Sequence, residues 1–515
     1  MAHEVVVVGG GIGGLTAAAL LAARGAGVCL FERAPRGGGC AAGFRKFGYD
    51  FETTAGLYSS WGRNELHERV FAELPVERPE ARRLTPSYVV RLPDGTDVSV
   101  GGASADARVG GAGGDEFEET LRASFPECAG RAVEFYRGLA PLADAAARAL
   151  ERFPALTETS KLQRARLAAS DPRAYRRLTA ARAETVAEHL AGTSRRFRAF
   201  LDAQLRAFAL APADECSYPF AASALTAPLR GLYSLRGGAP ALADALTDSI
   251  KRSGGAVRFD APVLRLAYDA AGRAVGVDLL SGERVEAARA VVSNLTAWDT
   301  YGKLVGAGRA PADVRSRLKT LRGRSAYLLF LGADDAAIAR LPATHLLAAA
   351  RPDGGEDGAA RDDQDDAARS EFFFGSSPAW DARAPEGRRA VTVSTHAEAE
   401  DWFAFHEDEA AHEEQDAAAL AAWWARLHAA LPELGAGIEV IETLTPRDYY
   451  EQTRRRLGMV GGTPRTPAAL SDGAFTHRTH LPNLYMVGDT IFPGGGLAGA
   501  TRSALAVANE IAPPR

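Results

Sequence analysis

The sequence predicts an α/β protein: a parallel sheet flanked by helices at its start, followed by α+β material with a mixed sheet and a helical subdomain. Three observations carry this prediction. The β-branched run Glu4 to Val8 passes straight into a glycine cluster and then an Ala/Leu stretch, the order strand, tight turn, helix. Residues 115–210 are rich in Ala, Leu and Arg in a helical pattern, and residues 323–335, 371–375 and 388–396 read as strands. The chain has 515 residues, 46% hydrophobic and 24% charged, which is globular composition with room for two or three domains.

The elements follow in order. After the first strand, Gly9-Gly10-Gly11-Ile12-Gly13-Gly14 reads as GxGxxG through Gly9, Gly11 and Gly14. In a Rossmann-type unit the first glycine makes the tight turn, the second lets the backbone approach a pyrophosphate, and the third lets helix pack on strand. Residues 15–24 supply the helix, whose N-terminus offers open N–H groups to phosphates, and Gly25 and Gly27 end it. Val28 to Phe31 form a second strand, and Glu32 follows 21 residues after Gly11, where a carboxylate can hold ribose hydroxyls. Strand, helix and acid in one context predict a bound dinucleotide.

Composition removes several function classes. The 53 glycines, about a tenth of the chain against a usual ~7%, lie largely in clusters. Sixty basic and 65 acidic residues, a net charge of −5, give no general reason to bind nucleic acid. Cys29, Cys40, Cys128 and Cys216 form no CxxC and no zinc spacing, and His406 and His412 miss a common helical face, so no metal site is expected. The first strand begins almost at once, so no cleavable leader is expected, and no run of about 18 apolar residues predicts a spanning helix. The expected location is cytoplasmic rather than secreted, which makes the sequon Asn294-Leu295-Thr296 a chance match.

Beyond Glu32-Arg33 the chain continues with Gly37-Gly38-Gly39-Cys40 and Phe47-Gly48-Tyr49-Asp50-Phe51-Glu52. Near its end come Leu484-Tyr485-Met486-Val487-Gly488-Asp489 and Phe492-Pro493-Gly494-Gly495-Gly496-Leu497-Ala498-Gly499. Between them stand Tyr233-Ser234-Leu235-Arg236-Gly237-Gly238, then Ala261-Pro262-Val263 and Val291-Val292-Ser293-Asn294. These three ordered segments, about 170 residues together, resemble the FAD-dependent phytoene desaturase, carotenoid isomerase and retinol saturase family of the flavin amine oxidase superfamily. Cys40 occupies a position where many relatives have Arg and where isomerase and saturase members often have small residues or Cys. Thr54 stands where a glycine is usual.

The resemblance implies FAD as cofactor, held by Gly9, Gly11, Gly13, Gly14, Glu32, Arg33, Gly38, Gly39, Cys40, Val263, Gly488, Asp489, Leu497 and Ala498. Val263 would meet the adenine through its backbone and Asp489 the ribityl chain. The N–H groups of Leu497 and Ala498 would face the flavin pyrimidine carbonyl, where a helix N-terminus stabilises the charge of the reduced ring. It also implies a discontinuous FAD-binding domain at 1–80, 225–300 and 471–515. Inserted between these would lie a helical, membrane-facing region at 81–224 and a substrate domain at 301–470.

Within the insertions, residues 85–100 read as a hairpin turning at Pro93-Asp94-Gly95. From Arg148 to Arg206 there are 13 basic and 6 acidic residues, an excess of +7. That stretch is either an ordinary solvated face or a surface that lies peripherally on an anionic membrane. Asp353 to Asp416 carries 19 acidic and 5 basic residues, and its part at 351–369, without apolar periodicity, reads as a solvated loop.

The expected function is FAD-dependent oxidation, saturation or isomerisation of a long apolar polyene or isoprenoid. A flavin amine or porphyrinogen oxidase is the second reading, and a non-catalytic prenyl- or lipid-binding escort on the same fold the third. The hard chemistry belongs to the flavin, so catalytic residues are left unassigned. His67, Arg230, Tyr233, Asp299 and Tyr301 are candidates that need geometry, with His67 expected at the surface.

Overall fold

The computed structural model describes residues 2–102, 114–152, 161–349, 371–403, 408–470 and 474–514. Its strands, in chain order, are β1 (Ala2–Val8), β2 (Val28–Phe31), β3 (Gly43–Lys46), β4 (Tyr49–Glu52), β5 (Ala81–Arg83), β6 (Tyr88–Arg91), β7 (Asp97–Val100), β8 (Tyr233–Leu235) and β9 (Ala256–Arg258). They continue as β10 (Val263–Tyr268), β11 (Ala274–Leu279), β12 (Arg284–Ser293), β13 (Ser325–Asp334), β14 (His345–Ala349), β15 (Glu371–Ser376), β16 (Arg388–Ala397), β17 (Ile438–Leu444) and β18 (Leu484–Met486).

One sheet is the nucleotide-binding type. β18, β12, β1, β2 and β9 run parallel in that order, drawn from three widely separated stretches of chain. The antiparallel pair β10 and β11 joins the N-terminal half of β12. Val5, Val6 and Val7 are fully buried because both faces of β1 are covered. On one face pack the first helix (Ile12–Ala23), the helix Gly238–Arg252 and the last helix (Gly496–Ile511). The other face is closed by Tyr301, Val314 and Phe475.

A second sheet has the order β17, β13, β16, β15, β14, β6, β7, all antiparallel except β14 on β6. The hairpin expected at 85–100 forms from β6 and β7. Alternation divides the sheet's two faces. Tyr327, Leu329 and Leu331 of β13 point towards the helix Glu409–Ala430, while Ala326, Leu328 and Phe330 point towards Phe51 and Tyr49 of the β3–β4 hairpin. The described residues between 114 and 230 are mainly helical, and their aromatic core of Phe125, Tyr136, Phe197 and Phe200 continues onto β6 and β7. The acidic stretch 351–369 lies outside the described residues. No helix among the described residues is long and apolar enough to cross a membrane.

Candidate functional site

β1 delivers the chain to Gly9, whose φ of +97° only glycine adopts without strain. A Cβ on Gly14 would stand 2.1 Å from the Gly9 carbonyl oxygen, so helix and strand can be this close only with glycine there. A Cβ on Gly11 would lie 2.5 Å from Asn294 Nδ2, and one on Gly13 2.6 Å from Asn294 Oδ1 and 3.1 Å from the Gly488 nitrogen. The loops before the first helix and after β12 and β18 therefore converge on the Asn294 side chain. The Gly38 N–H donates to the Gly10 carbonyl at 2.8 Å, which brings the Gly37–Gly39 loop onto the same turn.

The first helix is N-capped by Gly11, with no side-chain cap and no acid in its first turn. Its leading N–H groups are thus left for an anion. The Glu32 carboxylate accepts from the Gly10 N–H at 2.6 Å and the Ala34 N–H at 2.8 Å, which fixes it beside the glycine turn. Gly9, Gly11, Glu32, Arg33, Gly39, Cys40, Val263 and Asn294 line one cavity of about 1220 Å³. A glycine cradle, an uncapped helix N-terminus and a placed carboxylate around one cavity fit the phosphate and ribose parts of a dinucleotide.

Both carboxylate oxygens of Asp489 accept from Arg455 Nη2, at 2.8 and 3.0 Å, and Arg455 lines the same cavity. Burial pushes the Cys40 thiol up to about 11, so at neutral pH it is a neutral wall group and not a nucleophile. Leu497 and Ala498 open the last helix, half-buried against the helical core of the parallel sheet rather than among the cavity's lining residues. That helix too is N-capped by a glycine, Gly495, without a side-chain cap or an acid in its first turn.

A separate buried cluster lies between the two sheets. The Glu52 carboxylate is ion-paired with Arg383 at 2.7 Å and accepts from Tyr58, from Thr54 at 2.7 Å and from the Ala239 N–H at 3.2 Å. Burial pushes Glu52 up, but Arg383 and these donors outweigh it and hold the carboxyl below its usual range. Thr54 is thereby explained: its hydroxyl completes the shell of Glu52.

The catalytic candidates separate. His67 is not at the surface; it is 2% exposed, stacked on Trp61 at 4.6 Å between ring centres, and its Nε2 has no hydrogen-bond partner. Its helix, Leu66–Phe71, presents polar Glu68 and Arg69 to solvent and turns His67 inward with Leu66 and Val70. Arg230 pairs at the surface with Asp144 at 2.8 Å. Tyr301 is buried against Phe475, and Tyr233 is half-buried in the short β5–β8 sheet. Of the five, Asp299 lines the cavity, ion-paired to Lys303 at 2.8 Å. Asn294 and Arg455 line the cavity and are the residues that sequence reasoning missed as site members. Asn294 lay in plain sight at the end of a strand, whereas no motif marks Arg455.

The family model described as flavin containing amine oxidoreductase matches residues 12–512. Prolycopene isomerase, chloroplastic, of Arabidopsis thaliana is 28% identical over 285 residues, 54% of this chain and 45% of that protein. The chain thus spans about half the length of the plant isomerases it matches. All-trans-retinol 13,14-reductase of Danio rerio is 25% identical over 99% of this chain and 86% of that protein. Among solved structures, wild-type putrescine oxidase bound to putrescine aligns with a TM-score of 0.62 at 17% identity, covering 99% of each chain; this is a likeness of fold.

Proposed function

The chain belongs to the flavin-containing amine oxidoreductase family, which makes it an FAD-dependent oxidoreductase, and on that premise we propose that its substrate is a long apolar polyene or isoprenoid. The observation that carries the proposal is the sequence likeness to a retinol reductase along 99% of the chain, joined by that to prolycopene isomerases over half of it. FAD, when bound, supplies hydride exchange with a carbon–carbon bond.

The chain's own residues supply placement. Gly9, Gly11 and the first helix would hold the pyrophosphate, Glu32 the ribose, and Val263 the adenine edge. Asp489, oriented by Arg455, would meet the ribityl chain, and the N–H groups of Leu497 and Ala498 would face the pyrimidine end. On the mixed sheet Leu347 and Phe373 join an apolar core against which Ala55, Leu57 and Phe208 remain only partly buried, and a hydrocarbon chain would be received against that surface. Such surface suits a hydrocarbon chain and is poor at solvating an ammonium. The exposed arginines of the helices Lys161–Ser170 and Pro172–Ala180 would rest on an anionic membrane from which such a substrate enters.

The test is anaerobic incubation of the flavinated protein, oxidised and chemically reduced, with a panel of isoprenoids, read by the flavin spectrum and product chromatography. A polyene product or substrate-dependent bleaching is expected. Bleaching by amines alone, with hydrogen peroxide formed on admitting oxygen, would replace this reading with the amine oxidase one. A chain that stays colourless with added FAD would favour the escort.

A further inference from the structure

Arg465 is buried, 7% exposed, and its Nη2 has no hydrogen-bond partner. Its guanidinium lies against the loop that opens the last helix: a Cβ added to Gly494 would stand 2.5 Å from Nη2, and one on Gly495 2.6 Å. The guanidinium carbon sits 5.3 Å from the Phe220 ring, which in turn packs 6.2 Å from Phe492 of that loop. A buried guanidinium and an uncapped helix N-terminus, both positive, therefore meet at one place.

This arrangement is costly as it stands. A buried cation without a counter-charge is strongly destabilising. Burial pushes the Arg465 guanidinium down to about 10, against the pull of Asp489 and Cys216. Neither group closes the account. Asp489 is engaged through both oxygens by Arg455, and burial pushes the Cys216 thiol up to about 12, so it is neutral. Among the described residues no carboxylate forms an ion pair with Arg465, which leaves its Nη2 open to a negative partner from outside the chain.

We propose that Arg465 Nη2 and the N–H groups opening the last helix together form the pocket for the anionic N1–C2=O edge of the reduced flavin, with Arg465 setting how readily that flavin is reduced. The inference rests on the FAD reading above. Two-electron reduction leaves negative charge on that edge, and a fixed buried cation stabilises the reduced ring more than the oxidised one. A helix N-terminus alone contributes partial charge; Arg465 adds a full one, in a planar fork suited to a ring edge.

The experiment compares FAD-loaded wild type with Arg465→Met, Arg465→Gln and Arg465→Lys, measuring the two-electron midpoint potential and the dissociation constant for sulfite. Sulfite adds to flavin N5 and leaves negative charge on the same edge. The neutral variants are expected to shift the reduced-to-oxidised equilibrium ten- to a hundredfold towards oxidised, about 30–60 mV lower, with a parallel loss of sulfite affinity. Arg465→Lys should retain most of both. A folded neutral variant that loses FAD while the lysine variant keeps it also supports the contact. Flavinated neutral variants with wild-type potential and sulfite affinity overturn it. Should the neutral variants fail to fold, sulfite titration of the wild type decides: adduct formation supports the pocket and its absence overturns it. A wild-type chain that takes up no FAD overturns both readings, whereas unchanged variants beside a flavinated wild type overturn this one alone.

Discussion

Glu32 is fixed by two backbone donors, and the ribose contact proposed for it can be tested by substitution. Each carboxylate oxygen already accepts one backbone N–H, from Gly10 and Ala34, and each keeps a further lone pair for a ribose hydroxyl. Glu32→Gln removes the charge and one acceptor while keeping the shape. A hydrogen bond to a charged group contributes about 1.5–3 kcal/mol, so FAD should bind roughly ten- to a hundredfold more weakly; flavin fluorescence titration measures this, and an unchanged dissociation constant would remove Glu32 from the site. The glycines divide in the same way. At Gly11 an added side chain meets the Asn294 amide and the space where phosphate is expected, so Gly11→Val should purify folded but without flavin. At Gly14 it meets backbone, the Gly9 carbonyl, so Gly14→Val should lower the melting temperature as well. A yellow, fully flavinated Gly11→Val protein would end the phosphate-cradle reading.

Among the elements, those readable in the sequence are the ones whose information is local. The first helix is an Ala/Leu run closed by Gly25, the β6–β7 hairpin carries its own turn residues, and the valines of β1 mark a strand covered on both faces. What stayed hidden depends on partners far along the chain. Arg455 and Asp489 are 34 positions apart, Glu52 and Arg383 are 331 apart, and no periodicity announces either pair. The six-residue helix holding His67 is too short to show a pattern, and only its docking beneath Trp61 reveals which face is buried. The helices Lys161–Ser170 and Pro172–Ala180 left two readings open, because a basic face has the same sequence whether it meets water or lipid. Arg173, Arg176 and Arg177 are exposed on the second helix. If they rest on an anionic leaflet, each contributes about 1 kcal/mol there, so replacing all three by Gln should reduce co-sedimentation with phosphatidylserine vesicles about a hundredfold at low salt. High salt should erase the difference. Equal sedimentation of variant and parent at low salt would assign the face to water.

At the scale of the whole molecule, buried titrating groups set how stability depends on pH. Burial pushes His67 down to about 3, and His345 and His396 down to about 4, from an ordinary 6.5. A histidine depressed on folding contributes stability that is complete above its unfolded value and is lost as pH falls through the folded one, because the unfolded chain takes up the proton first. Glu371 works in the opposite sense: burial raises its carboxyl to about 7, so its contribution is complete below 4.5 and is lost as pH rises through 7. Of these four groups, three favour the neutral side and one the acid side. The fold should therefore weaken from about pH 6.5 down to about pH 4, by at most roughly 3 kcal/mol per histidine. His67→Phe isolates one of these contributions. It preserves a ring on Trp61, removes the unpartnered Nε2, and takes one proton out of the unfolding equilibrium. Chemical denaturation across that range should show a shallower dependence on pH for the variant than for the parent, by the share of a single group, with the gap in the variant's favour widest at the acid end. Parallel curves for the two proteins would mean that His67 gains no proton when the chain unfolds.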